Sequence, residues 1–247
     1  MNANASKTVV LTGASRGIGH VTVGYFAARG WRVICCSREA PPPSCPRDPA
    51  QGIHIAADLS KPEDVEFFIK QANEVLGEDP LHALVNNAGV SPKTPYKERL
   101  GCLNGDIEAW RDVFELNFFT PLTLSRGFAA ALHRGKGAIC NITSIAGHYV
   151  HPFAGSAYST SKAALSGLTR EMAVEFAELG VRVNAVAPGE IKTAMISPEY
   201  EALVPRIPMN RMGTPEDVAA AVHYLVGEDS SYVTGTEIFV TGGQHLY

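Results

Sequence analysis

Short apolar runs alternate along the chain with longer segments whose apolar positions recur at helical spacing, the pattern of βαβ units that build a parallel sheet. Thr8 to Leu11, Arg32 to Cys36, Ile53 to Ala57, Ala83 to Asn86, Ala138 to Ile142, Arg182 to Val186 and Glu237 to Val240 predict strands. Gly17 to Arg29, Lys61 to Leu76, Ile107 to Ala131, Tyr158 to Leu179 and Pro215 to Leu225 predict helices. Ser60 is the expected N-cap of the second helix, with Pro62 in its first turn. The second, fourth, fifth and sixth runs are apolar on both faces, which calls for helices on both sides of the sheet. The expected fold class is therefore α/β, a single domain with a doubly wound parallel sheet of about seven strands. Ligands of such sheets bind outside the carboxyl ends of the strands, so residues directly after each strand carry the candidate chemistry.

Three segments break the pattern. Pro41, Pro42, Pro43, Pro46 and Pro49 stand where a helix would join the second and third strands. They forbid a regular helix and predict an extended surface loop. Ser91 to Asp106 is a polar insertion, and Glu190 to Met209 mixes Met195, Ile196, Tyr200, Leu203, Val204, Ile207 and Met209 with three prolines. A net charge of −4 offers no surface for nucleic acid or an anionic membrane. No run approaches the roughly 18 apolar residues of a membrane span, and Met1 to Lys7 reads as no signal peptide. The five cysteines, 35, 36, 45, 102 and 140, match no zinc spacing. They suit thiols in a reducing cytoplasm, with no metal site.

The first strand runs into Thr12-Gly13-Ala14-Ser15-Arg16-Gly17-Ile18-Gly19. Glycines here let the backbone turn tightly and approach a pyrophosphate, which the N–H groups and positive end of the next helix would hold. An acidic residue ending the second strand would bind the free ribose hydroxyl of NAD and repel a 2′-phosphate. Ser37 and Arg38 stand there instead, and Arg16 adds a second guanidinium from the glycine turn. Two guanidiniums with no carboxylate at that place argue for NADP(H), although Glu39 follows directly.

Tyr158 and Lys162 lie four apart on a predicted helix, so their side chains share a face. Tyrosine titrates near 10, and lowering it about three units requires roughly 4 kcal/mol. One ammonium about 4 Å away supplies on the order of 4 kcal/mol at an effective dielectric near 20, which expects a lowered Tyr158 able to transfer a proton near neutral pH. Ser144 follows the fifth strand and faces the same cleft. Asn117 is an amide inside the long predicted helix, where it is a poor filler.

Together with Asp58-Leu59, Asn86 to Gly89 and Pro188-Gly189, these motifs resemble the short-chain dehydrogenase/reductases over essentially the whole chain. Within that family they look most like the NADP-preferring branch of 3-oxoacyl-acyl-carrier-protein reductases. The resemblance implies a Rossmann fold and hydride transfer between nicotinamide and a carbonyl or secondary alcohol. It implies Tyr158 as acid/base, Ser144 orienting the carbonyl, Lys162 holding the nicotinamide ribose, and Asn117 holding a water that links Lys162 to solvent. Asp58 and Leu59 would approach the adenine, Asn87, Ala88 and Gly89 would line the adenosine side, and Pro188, Gly189, Ile191 and Thr193 would meet the nicotinamide end. It also implies a mobile lid over residues 190–210 and a homotetramer or dimer packed through the two long helices. Ala163, Ala164, Ser166 and Gly167 would allow close approach there.

The gap between Ser144 and Tyr158 is one residue longer than the family commonly shows, which expects a reshaped cleft wall around His148, Tyr149 and His151. His133, Arg134 and Lys136 form a small basic cluster, but Glu175 and Glu178 follow Lys162 on the same helix, so an acidic carrier protein is not the favoured partner. A small-molecule carbonyl or alcohol is. The alternative is a catalytically silent NADP(H)-sensing regulator, which would not need Tyr158, Lys162, Ser144 and Asn117 together.

Overall fold

All seven expected strands form, within a residue or two of their predicted bounds: β1 (Thr8–Thr12), β2 (Arg32–Ser37), β3 (Gly52–Ala56), β4 (Ala83–Asn86), β5 (Ala138–Ile142), β6 (Arg182–Pro188) and β7 (Glu237–Val240). The computed structural model describes residues 6–39, 52–193 and 198–246. The proline-rich segment 40–49, for which an extended loop is expected, Cys45, Met195 and Ile196 fall outside the described residues. The strands pair in parallel in the order β3-β2-β1-β4-β5-β6-β7. The chain thus leaves β1 in one direction and returns to β4 on its other side, opening a crevice at the carboxyl ends of these two strands.

Helices α1 (Gly17–Ala27), α2 (Pro62–Leu76), α3 (Ile107–Phe114), α4 (Thr120–Gly127), α5 (Ala129–Gly135), α6 (Ser156–Ala177) and α7 (Pro215–Val226) cover the sheet. Val23, Phe26, Val218, Val222 and Leu225 of α1 and α7 pack on one face. Phe68, Leu124, Phe128, Met172 and Phe176 pack on the other. Removal of this apolar surface from water is the main stabilising term. A capping box of Thr214 and Asp217 starts α7, with Pro215 in its first turn.

Three expectations are corrected. Lys61, not Ser60, is the extended residue before α2; the Ser60 hydroxyl instead donates to Asp58 Oδ1 at 2.8 Å. The stretch predicted as one helix from Ile107 to Ala131 is three helices, with a π-turn at Glu115–Phe119 between α3 and α4. Periodicity does not reveal one extra residue in a turn, and such bulges frequently mark functional sites. Ser166 faces inward and donates to Glu237 Oε2 at 2.5 Å, so it is not on a free helix face.

At the amino end of the sheet, His82 Nδ1 accepts the Thr8 N–H at 3.0 Å. Burial, helped by the Lys7 charge, holds the His82 pKa below 6.5. Burial and the charges of Arg29 and Lys7 do the same to His223. The unfolded chain therefore binds protons near pH 6.5 that the folded chain refuses. This contribution to stability is complete above that pH and is lost as pH falls. We expect Tm to drop between pH 7 and pH 5, with a shallower drop in His82→Gln, measured by circular dichroism melts. Equal slopes for the two proteins would refute the assignment.

Candidate active site

The crevice is knitted by the residues that end β1 and β4. Thr12 Oγ1 accepts the N–H groups of Asn87 and Ala88, each at 3.0 Å. Asn87 Nδ2 donates to Thr12 O at 2.9 Å and Gly13 O at 3.2 Å. The glycine turn allows this closeness. Gly13 has φ +72, and a Cβ there would stand 2.8 Å from Asn87 Nδ2. A Cβ on Gly19 would stand 2.2 Å from Gly13 O. No side chain caps the first turn of α1, which leaves its amides to face the crevice.

The groove above this turn encloses about 520 Å³. It is lined by Gly13, Ser15, Arg16, Ile18, Gly19, Ser37, Arg38, Asp58, Leu59, Asn87, Ala88, Gly89 and Thr193, all expected from sequence. Gly17, Tyr158, Lys162, Pro188, Gly189 and Ile191 do not line it. Ile191 is buried, bridged to Gly213, and Gly189 lies against Thr241 and Gln244. Asp112 and Leu116 line the groove and were missed; their four-residue spacing on a helix was the available signal. Ser37 Oγ donates to Glu39 O at 2.8 Å and accepts His54 Nε2–H at 2.8 Å, so no carboxylate ends β2. Burial pushes the Asp58 carboxyl up, but hydrogen bonds from the Ser60 side chain and N–H and the charges of Arg38 and Lys61 outweigh it and hold it below the usual range.

At the other end stand the residues after β5 and on α6. Ser144 is buried; its Oγ accepts the Ala146 N–H at 3.1 Å and hydrogen-bonds Tyr158. Lys162 is buried too. Its Nζ donates to Ile142 O at 2.6 Å and lies 5.8 Å from the centre of the Tyr158 ring. A Cβ on Gly89 would be 3.3 Å from that Nζ, so the absence of a side chain at the end of β4 lets the lysine reach the crevice. Burial pulls Lys162 down to about 8. Burial pushes Tyr158 up, the Ser144 hydrogen bond opposes this, and the Glu190 charge adds to it. The expected lowering of Tyr158 by Lys162 is thus corrected: desolvation dominates both groups, and the ammonium points at a backbone carbonyl.

Asn117 is fully buried in the π-turn. Its Oδ1 accepts the Val90 N–H at 2.9 Å, and its Nδ2 donates to Val90 O and Ser161 Oγ, both at 3.0 Å. Both side-chain N–H donors are therefore spent tying β4's exit to α6, rather than offered to a water.

Sequence reasoning missed a trio in which His151 and Glu190 are buried and Gln244 is half-buried. Glu190 Oε1 accepts from His151 Nε2 at 2.6 Å and from Gln244 Nε2 at 3.3 Å. His151 Nδ1 accepts the N–H groups of Phe153 and Ala154 at 3.2 and 3.0 Å. These two donors occupy Nδ1 and leave Nε2 to donate to Glu190, so both ring nitrogens are engaged. Cys36 and Cys140 are buried, and desolvation pushes both thiols up, which keeps them inert. Among the described residues there is no cluster that could hold a metal ion, and no helix is long and apolar enough to cross a membrane.

A doubly wound sheet with a glycine-cradled crevice at its switch point and a Ser, Tyr and Lys at the crevice's end defines a nucleotide-dependent oxidoreductase class. A family model described as enoyl-(acyl carrier protein) reductase matches residues 13–245. The chain belongs to the short-chain dehydrogenase/reductase family. It is 49% identical over 242 residues to protein FixR of Bradyrhizobium diazoefficiens, covering 97% of this chain and 87% of that one. It is 35% identical to 3beta-hydroxysteroid dehydrogenase 1 of Eggerthella lenta, covering 98% and 94%. A short-chain dehydrogenase/reductase family oxidoreductase from Brucella ovis, solved with a partially ordered NAD, superposes with a TM-score of 0.82 at 47% identity, covering 96% and 100%.

Proposed function

We propose that the protein is an NADP(H)-dependent reductase of ketones or aldehydes in which Tyr158 is the proton donor. The observation that carries this reading is the convergence of Ser144, Tyr158 and Lys162 at the end of the glycine-cradled groove. The groove fits a dinucleotide in size and lining: it encloses about 520 Å³ beside the glycine turn and carries Arg16, Ser37, Arg38 and Asp58. Gly13 to Gly19 would hold the pyrophosphate, Arg16 and Arg38 the 2′-phosphate, Asp58 and Leu59 the adenine, and Lys162 the nicotinamide ribose. The bound nicotinamide would supply the hydride.

The chain's own residues do the rest. Ser144 receives the substrate oxygen and stabilises the charge that grows on it. Tyr158 gives that oxygen a proton. A Tyr158 pKa raised by burial keeps the phenol protonated at neutral pH, the form that reduction consumes. Asn117 acts through Val90 and Ser161, fixing the β4 exit against α6.

The test follows NADPH absorbance with a panel of ketones, aldehydes, quinones and 3-oxoacyl thioesters, with NADH as comparison. Turnover of one class is the expected result. Tight NADPH binding with no turnover of any class would overturn it in favour of a nucleotide-sensing regulator. For the cofactor, Arg38→Ala should lower kcat/KM for NADPH about 10- to 100-fold, the worth of a charge-assisted hydrogen bond. NADH should change less than about threefold, because its ribose offers no phosphate to lose. Equal losses with both nucleotides would remove Arg38 from 2′-phosphate recognition.

A further inference from the structure

A second cavity, of about 540 Å³, begins at Ile145, the residue after Ser144, and shares no lining residue with the dinucleotide groove. Its walls are apolar over Ile145, Tyr149, Leu203 and Pro205. Tyr149 remains 48% exposed and its neighbour Val150 90% exposed, uncovered apolar surface of the kind that marks a binding site. Arg206 is the one lysine, arginine or carboxylate among the lining residues. It is exposed and has no ion-pair partner among the described residues.

Charge is sorted across this cavity. The buried wall contains His151, whose two ring nitrogens are engaged by backbone N–H groups and by Glu190; the exposed rim carries the Arg206 guanidinium. An anionic group placed deep would face His151, whose Nε2–H is already given to Glu190, and lose its water without gaining a partner. Placed at the rim, it gains a fork of N–H donors suited to a carboxylate. A neutral carbonyl carries no such penalty at the inner end, at Ile145, the residue that follows Ser144.

We propose that this cavity seats an amphipathic keto acid, with its apolar body against Ile145 and Leu203, its carbonyl inward and its carboxylate on Arg206. This rests on the reductase reading above. The test compares a medium-chain keto acid with its methyl ester, in wild type and Arg206→Gln. Wild type should prefer the acid, and the acid-to-ester ratio of kcat/KM should fall about fivefold in the variant, the scale of a solvent-exposed ion pair. Ester turnover with a ratio that stays within about twofold would overturn the proposal and leave the reductase reading standing.

A second measurement does not depend on turnover. Calorimetric binding of decanoate should weaken by a similar factor in Arg206→Gln, and decanoate binding that ignores the substitution, or fails in wild type, would overturn the proposal by itself. Decanoate binding that depends on Arg206, with no turnover of either ketone, would sustain the anion site while overturning the reductase reading.

Discussion

Tyr158→Phe is expected to lower kcat by about a hundred- to ten-thousandfold while NADPH still binds. The magnitude follows from losing the positioned proton donor, which contributes about 10²- to 10⁴-fold. Phenylalanine keeps the ring in the face it shares with Lys162 and removes only the hydroxyl that bonds Ser144. Steady-state kinetics paired with fluorescence titration of NADPH separates the two effects. A variant that keeps a tenth of wild-type turnover would mean another group delivers the proton. His151 is a poor understudy, because its Nε2–H is given to Glu190 and its Nδ1 is taken by two backbone amides. The raised Tyr158 also sets a direction with pH. Alcohol oxidation needs the phenolate as base, so its rate should climb as pH rises towards the raised pKa, whereas reduction should hold through neutrality.

Gly19→Ala should be the most damaging single methyl group that can be added to the groove. The new Cβ would lie 2.2 Å from Gly13 O and 2.4 Å from Asn87 Nδ2. Neither neighbour can yield freely, since Asn87 Nδ2 already bonds Thr12 O and Gly13 O across the crevice. Overpacking of this kind costs about 1 to 3 kcal/mol, and the movement it forces displaces the amides that would hold a pyrophosphate. The expected outcome is a Tm lower by several degrees and NADPH affinity down by more than about tenfold. Gly24→Ala is the control: a Cβ there meets nothing within 4 Å, and alanine favours a helix. Equal behaviour of the two variants would show that the contact at Gly19 does not constrain the turn.

Much of this was legible from order along the chain. A strand with both faces apolar, as at Val33 to Cys36, belongs inside a covered sheet. The glycine spacing and the four-residue step from Tyr158 to Lys162 are local patterns, so the groove and the shared face followed from them. In sequence, Asn117 is an ill-suited amide in a helix. What made it ill-suited, a π-turn that aims it at Val90 and Ser161, depends on where β4 and α6 end up.

The sequence by itself determined the doubly wound α/β class and the glycine turn, because periodicity and a spacing of a few residues encode them, while Ser144, Tyr158 and Lys162 were singled out by resemblance to the family. Tertiary structure alone decided the electrostatics and the company these residues keep. Tyr158 is raised rather than lowered because burial acts on every atom around it, whereas sequence spacing displays only Lys162. The trio of His151, Glu190 and Gln244 joins a cleft loop, the exit of β6 and the C-terminal segment. Hydrogen bonds between positions 39 and 54 residues apart leave no periodic trace in the chain.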